Sequence, residues 1–278
     1  MTAKSRIAEW AFVLAGLMLF AGSIPANAQV ASKSTWEQVM STKKLRSGVM
    51  DAPPYWHRDK GQWKGAMVKM SQDIADQLGV ELELVEVAGW GQVALELQSN
   101  RVDMMFSVQA TPARAKVIDF AGPVYWVYFA TVNNKNFKAP KNWADYNSPD
   151  VKIAVALGSS NETILRKMAP KATIQAFTKN PEVILSVISG RSDALVSTTM
   201  TALTMKQENP DSGEFLVPHP QVGVPGYIGL RQDVGDTRMR DFLNWWSEWN
   251  LLMGNNEKLL KESLLEMGIP EIPDFVRF

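Results

Sequence analysis

From residue 44 onward the chain alternates, twice over, between short apolar runs and longer stretches with helical apolar spacing. A chain that keeps switching between a period of two and a period of 3.6 packs strands against helices, so it reads as α/β. The first round predicts a strand over Lys44–Val49, a turn-rich loop at Asp51-Ala52-Pro53-Pro54-Tyr55, and a helix over Ala66–Leu78. That helix carries Met67, Met70, Ile74 and Leu78 on one face and is stopped by Gly79. A strand over 80–87, a short helix over 92–97 and a buried strand over 102–106 follow. The second round begins after Val132, with strands over 152–157, 172–177 and 193–197. Its helices are expected from Ser159 to about 168, over 181–189 and over 198–207, the first opened by the capping-box spacing of Ser159 and Glu162. The tail adds a strand over 226–230, helices near 237–252 and 256–267, and an extended end from Pro270. Trp245 and Trp249, one turn apart and in register with Phe242 and Leu252, predict a core-facing stripe.

The ends and the composition narrow the setting. Lys4 and Arg6 precede an apolar core from Trp10 to Gly22 that is too short to span a bilayer comfortably. Ala26-Asn27-Ala28 then supplies a small-x-small site, so residues 1–28 read as a signal peptide and the mature chain is expected to start at Gln29. With no cysteine after that cut there is no site for a lipid anchor, which points to a free periplasmic protein. The lack of any cysteine also removes disulfides, thiol nucleophiles and thiolate metal ligands. His57 and His219 are far apart, so neither a metal nor a cofactor is expected. Lys and Arg number 29 and Asp and Glu 29, a balance that gives no basic surface for nucleic acid. About 250 mature residues suffice for one large or two small cores.

Ser107-Val108-Gln109-Ala110-Thr111-Pro112-Ala113-Arg114 is the stretch richest in chemistry. It follows the buried run ending at Phe106. Thr111 suits a helix cap and Pro112 a first helical position, leaving free backbone N–H groups beside the Arg114 guanidinium. A strand end, a helix start and an arginine together form a receptor for a carboxylate. An ordinary capped turn with Arg114 in a surface ion pair reads the same residues equally well.

Several further motifs, in order, resemble one family. They are Gly48, Pro54-Tyr55, Gly65, Leu78-Gly79, Asn100-Arg101-Val102-Asp103, Thr111-Pro112-Ala113-Arg114 and Ile118-Asp119-Phe120-Ala121-Gly122-Pro123-Val124-Tyr125. Gly158-Ser159-Ser160-Asn161-Glu162 and Gly190-Arg191-Ser192-Asp193-Ala194-Leu195 complete the set. The chain is similar to the family 3 extracellular solute-binding proteins of ABC importers, of the polar amino-acid type. That resemblance implies a type II periplasmic binding fold, in which two α/β lobes, each a mixed sheet flanked by helices, enclose a ligand cleft. Lobe 1 would comprise residues 29–130 and 225–278, and lobe 2 residues 131–224. It implies no covalent chemistry: a small carboxylate, an amino acid or a derivative, shifts the lobes towards a closed form that docks on a membrane permease. A monomer is expected.

The resemblance also assigns residues. Arg114 would pair with the ligand carboxylate, with Ser107, Gln109 and Thr111 completing the grip. Ser160 would add a donor from lobe 2, beside Asn161. Trp90 matches an aromatic that stacks on the ligand, and Tyr55 and Trp56 lie on a loop that adds a second face. The acidic residue that holds an α-ammonium in the family falls here at Thr198, within Ser197-Thr198-Thr199. Three readings stay open. Asp51 or Glu162 replaces the acid; the ligand is a carboxylate or amide without a free amine; or a quaternary cation is boxed by Trp56, Trp90 and Trp126. At the helix entry, Ala66, Met67 and Lys69 replace an aromatic and two acids that are frequent in the family. Two other roles fit the same fold: a dehydratase acting on prephenate or arogenate, with Glu162 as general acid, and a ligand-reporting sensor.

Overall fold

The computed structural model describes residues 33–138 and 140–270; the expected signal peptide and the end of the tail lie outside them. The chain enters through α1 (Thr35–Thr42), capped by the Ser34 hydroxyl, and β1 (Lys44–Val49). A hairpin of β2 (His57–Asp59) and β3 (Gln62–Lys64) leads to α2 (Ala66–Leu78), which ends on left-handed Gly79. β4 (Glu81–Glu86), a single turn at Trp90–Gln92, α3 (Val93–Gln98), β5 (Met104–Val108) and α4 (Pro112–Ala115) follow. A long strand, β6 (Asp119–Asn133), carries the chain into α5 (Trp143–Tyr146), β7 (Lys152–Ala156), α6 (Ser160–Met168), β8 (Thr173–Phe177) and α7 (Asn180–Ile188). β9 (Ala194–Thr198) and α8 (Thr199–Glu208) precede β10 (Phe215–Leu216) and β11 (Gly223–Leu230). Two helices, α9 (Arg238–Leu252) and α10 (Asn255–Glu266), close the described chain.

Nine strands join in the order β4-β1-β5-β11-β6-β9-β7-β8, with β10 added to β6. β1 runs parallel to β4 and β5, and β7 runs parallel to β8 and β9. The two parallel groups meet through the antiparallel pair β6 and β11. β6 serves both halves: its first part pairs with β11, and Phe129 to Asn133 pair with β9. The core divides in the same way. One cluster gathers Leu45, Met67, Met70, Ile74, Phe106, Leu243 and Trp246. In the second half, Ala154 and Leu195 face one cluster while Val155 and Val196 face another, the alternation of strands covered on both sides. Trp90 is packed against both the first core and the second.

β6 was not apparent as a strand because Gly122 and Pro123 interrupt it, and proline removes a ladder donor. The structure accommodates them at an irregularity, where the register jumps between Gly226–Tyr125 and Ile228–Ala121. Side chains from the two last helices replace the missing ladder bonds. Asn244 accepts from Gly122 N at 3.0 Å, Ser247 donates to the Pro123 carbonyl at 2.6 Å, and Asn256 donates to that of Val124 at 3.1 Å.

The same contacts correct the expected face of α9. Met239, Leu243, Trp246, Ser247 and Asn250 are its buried residues. Trp245, Trp249 and Leu252 are 69%, 60% and 74% exposed. The apolar pattern misled because two inward positions, Ser247 and Asn250, are polar: Ser247 serves the irregular strand, and Asn250 donates to the Trp246 carbonyl at 2.9 Å. Trp246 instead enters the core, edge-on to Phe106 at 5.8 Å, with its Nε1 donating to Asp73 at 2.6 Å. Trp246→Ala should therefore cost about 3–5 kcal/mol, whereas Trp245→Ala and Trp249→Ala should each stay within about 0.5 kcal/mol of wild type. Urea denaturation of the three variants measures this.

Candidate functional site

β5 is buried at every position, and it ends where the candidate residues begin. Ser107 holds φ 61, a left-handed conformation that costs a non-glycine residue roughly 1–2 kcal/mol. Its hydroxyl is bonded to that of Tyr125, and both residues are buried. Strain of this kind persists only where the surroundings fix it, and it turns the chain so that Gln109 faces the opposite half of the molecule. Gln109 Oε1 there accepts from Ser160 Oγ at 3.0 Å.

Arg114 lies one short turn further on. Thr111 caps α4, accepting from Arg114 N at 3.3 Å, and Pro112 takes the first helical position. The helix is only four residues long, so the expected contribution of a helix N-terminus is small and the guanidinium carries the charge. Arg114 is 8% exposed. It donates from Nη1 to the Gln109 carbonyl at 3.1 Å, and from Nη2 to the carbonyls of Gly158 at 3.1 Å and Trp90 at 3.4 Å. Among the described residues no carboxylate pairs with it. Burial pushes its pKa down to about 10. It is a desolvated cation satisfied by neutral carbonyls only, in a place where an anion would gain the most.

From the second half, α6 presents Ser160 and Asn161. Ser159 caps it, accepting from Glu162 N at 3.3 Å and donating to the Ala156 carbonyl at 2.6 Å. Asn161 is buried, and its Oδ1 has no hydrogen-bond partner among the described residues. β9 delivers Ser197 and Thr198, and α8 delivers Thr201. Thr198 Oγ1 lies 3.4 Å from the Tyr55 hydroxyl and 3.4 Å from Thr201 Oγ1. Tyr55 stacks on Tyr125 at 5.5 Å, so aromatic and hydroxyl groups run from Ser107 to Thr198.

Together these residues enclose a slot of about 20 Å³, lined by Ala52, Tyr55, Trp90, Ser107, Gln109, Ser159, Ser160, Asn161, Asn180, Ser197, Thr198 and Thr201. That is room for about one water. A chamber of about 430 Å³ adjoins it, sharing Trp90 and Asn180, with Asp51, Arg58, Trp63, Glu86 and Lys179 among its walls. Hydroxyls and amides dominate the slot, and among the described residues no carboxylate lines it. No group of three or more His, Cys, Asp or Glu that could hold a metal occurs among the described residues.

Residues 45–146 match the bacterial extracellular solute-binding proteins, family 3. The L-cystine-binding protein TcyJ of Escherichia coli (strain K12) is 26% identical over 162 residues, covering 58% of this chain and 60% of its own length. The chain thus spans less than two thirds of that relative. The arginine-binding extracellular protein ArtP of Bacillus subtilis (strain 168) is 24% identical over 222 residues, 78% of this chain and 86% of ArtP. Among solved structures, the ancestral amino acid-binding protein AncCDT-1, a precursor of cyclohexadienyl dehydratase, superposes with a TM-score of 0.74 at 29% identity, covering 82% of this chain and 99% of that one. Over residues 45–146 the chain is thus similar to the family 3 extracellular solute-binding proteins. Its fold is the two-lobed type II arrangement, a mixed α/β sheet flanked by helices.

Of the residues singled out by sequence in this chain, Tyr55, Trp90, Ser107, Gln109, Ser160, Asn161 and Thr198 line the slot. Arg114 stands beside it through Gln109 and Trp90, and Thr111 is the cap that holds Arg114. Trp56 does not line it: it is fully buried in the first core, 6.2 Å from the Trp90 ring. Trp126 is 41% exposed and lies outside the slot, so the three tryptophans form no box. Asp51 lines the larger chamber. Glu162 is committed to Gly158 N at 2.8 Å and to Arg166 at 2.7 Å. Sequence reading passed over Ala52, Ser159, Asn180, Ser197 and Thr201 as wall residues, Ser159 being expected only as a helix cap. Ser197 and Thr201 flank Thr198 and were within reach of the same reasoning; nothing in Lys179-Asn180-Pro181 marks which way Asn180 faces.

Burial sets the alkaline behaviour of the aromatic pair. Desolvation raises the Tyr55 hydroxyl to about 12, with Thr198 opposing the shift, and it raises Tyr125 further. A tyrosine in the unfolded chain ionises near about 10. Above that pH the folded protein keeps a proton that the unfolded chain releases, so stability falls as pH rises from about 10 towards 12. Tyr55→Phe should make this fall shallower, which denaturant unfolding at pH 9, 10 and 11 measures.

Proposed function

We propose that this protein is the periplasmic substrate-binding protein of an ABC importer and binds a small carboxylate that bears no free α-ammonium. The observation that carries the reading is the Arg114 guanidinium, buried, bonded among the described residues only to carbonyls, and set beside a slot that no described carboxylate lines. An arginine–carboxylate contact is worth roughly 1.5–3 kcal/mol net. An ammonium desolvated against Ser197, Thr198 and Thr201 would lose several kcal/mol, because hydroxyls carry no counter-charge. An amino acid whose nitrogen is acylated, a hydroxy acid or a keto acid avoids that loss. Lobe 1 is assigned to residues 29–130 and 225–278 and lobe 2 to 131–224. The ligand joins them, a monomer closes on it, and the closed form meets the permease.

Thermal-shift screening tests the reading. At one hundred times Kd a ligand adds about 2.7 kcal/mol, on the order of 5–10 °C in Tm for a chain of this size. Amine-free acids should shift Tm more than the amino acids of the same skeleton, and Arg114→Ala should abolish the shift. Thr198→Asp should reverse the preference towards free α-amino acids. Full affinity in the Arg114 variant would sink the carboxylate grip.

The likeness to the dehydratase precursor motivates a second reading, an enzyme on the same fold. The engagement of Glu162 with Arg166 and Gly158 weighs against it, since that carboxylate was the candidate general acid. Release of phenylpyruvate from prephenate by the purified protein would establish it.

A further inference from the structure

Three glycines crowd the place where the two halves touch. Gly89 and Gly91 flank Trp90, and Gly158 precedes the α6 cap. A Cβ on Gly89 would stand 2.7 Å from the Thr178 carbonyl oxygen. A Cβ on Gly158 would stand 2.6 Å from the Gly91 Cα and 3.1 Å from its nitrogen. Both approaches are closer than any ordinary carbon contact, and both are against backbone, which has no side chain to swing aside. Gly91 differs: its Cβ would meet nothing nearer than the Leu157 oxygen, at 3.7 Å. Gly89 also has φ 168 and ψ 174, extended backbone that any residue adopts. Local conformation therefore does not require glycine at 89; the partner across the cleft does. At 158, φ +70 adds a separate local reason.

The bonds that cross the cleft depend on this approach. Arg114 reaches the Gly158 carbonyl, Ser160 reaches Gln109 at 3.0 Å, and Asn180 Nδ2 reaches the Asp51 carbonyl at 2.9 Å. With the backbones held apart by a methyl group, bonds of this length cannot all form at once. Trp90, between the two glycines, could not then pack against both cores.

We propose that Gly89 and Gly158 are positioning residues for ligand binding, since their missing side chains set how far the cleft can close. The proposal deepens the binding reading, but its test uses no ligand, so the two stand or fall separately. The chain has no cysteine, so Thr163→Cys provides a single thiol on an exposed turn of α6 for a nitroxide. Paramagnetic broadening of the amides of Trp90–Gln92 then reports the closed approach, even when that state is a minority. In the labelled protein these amides should be broadened. Adding Gly89→Ala or Gly158→Ala should reduce the effect several-fold, whereas Gly91→Ala should leave it unchanged. Amides within the second half should stay broadened throughout, which shows that each variant is folded. The Tm of the Gly89→Ala protein should remain within about 2 °C of the parent, while that of Gly158→Ala should fall. Absence of broadening in the parent, retention of it in Gly89→Ala, or equal loss in all three variants would overturn the proposal.

Discussion

A buried guanidinium without a carboxylate is the constraint around which the cleft is organised. Taking a cation out of water costs several kcal/mol unless something answers its charge. Among the described residues Arg114 is answered only by the carbonyls of Trp90, Gln109 and Gly158, which come from three loops in both halves of the molecule. Those bonds satisfy its donors without cancelling its charge. The residues around it extend the same logic. The strained Ser107 turns β5 towards the cleft, the cap at Thr111 fixes the one-turn helix that carries Arg114, and the paired Tyr55 and Tyr125 stay neutral because burial opposes their ionisation.

The rest of the fold holds that arrangement in place. β6 belongs to both halves, so the strand that supplies Tyr125 in the first also pairs with the strand that supplies Thr198 in the second. Its irregularity at Gly122 and Pro123 is stabilised by polar side chains of α9 and α10. Trp90 rests on both cores, and the glycines beside it allow backbone to meet backbone. The slot is consequently polar and acid-free because its walls come from strand ends and helix starts rich in Ser, Thr and Asn.

Much of this was legible from periodicity and caps. The strand–helix order, the helix over Ala66–Leu78 and the Ser159 cap followed from local rules that the tertiary structure did not override. The slot residues near Ser107, Ser160 and Thr198 were legible from the order of motifs. What escaped depended on distant partners. The strand at Asp119–Asn133 needs helix side chains to satisfy its proline-bearing segment, and no local signal announces them. The choice between Trp245 and Trp246 turned on the inward face that also carries Ser247, which is buried and bonds to that strand. Trp56 and Trp90 looked alike in sequence, but one ring is enclosed by the first core and the other stands between the two halves.

The central claim concerns charge: the site welcomes a carboxylate and has no place for an ammonium beside it. Titration calorimetry with a matched pair, one acid and its α-amino counterpart on the same carbon skeleton, addresses it directly. The account predicts tighter binding of the amine-free acid by tenfold or more, since about 1.4 kcal/mol separates each decade and the unpaired ammonium costs more than that. Tighter binding of the free α-amino acid would show that an acidic partner reaches the ligand, and would contradict the account.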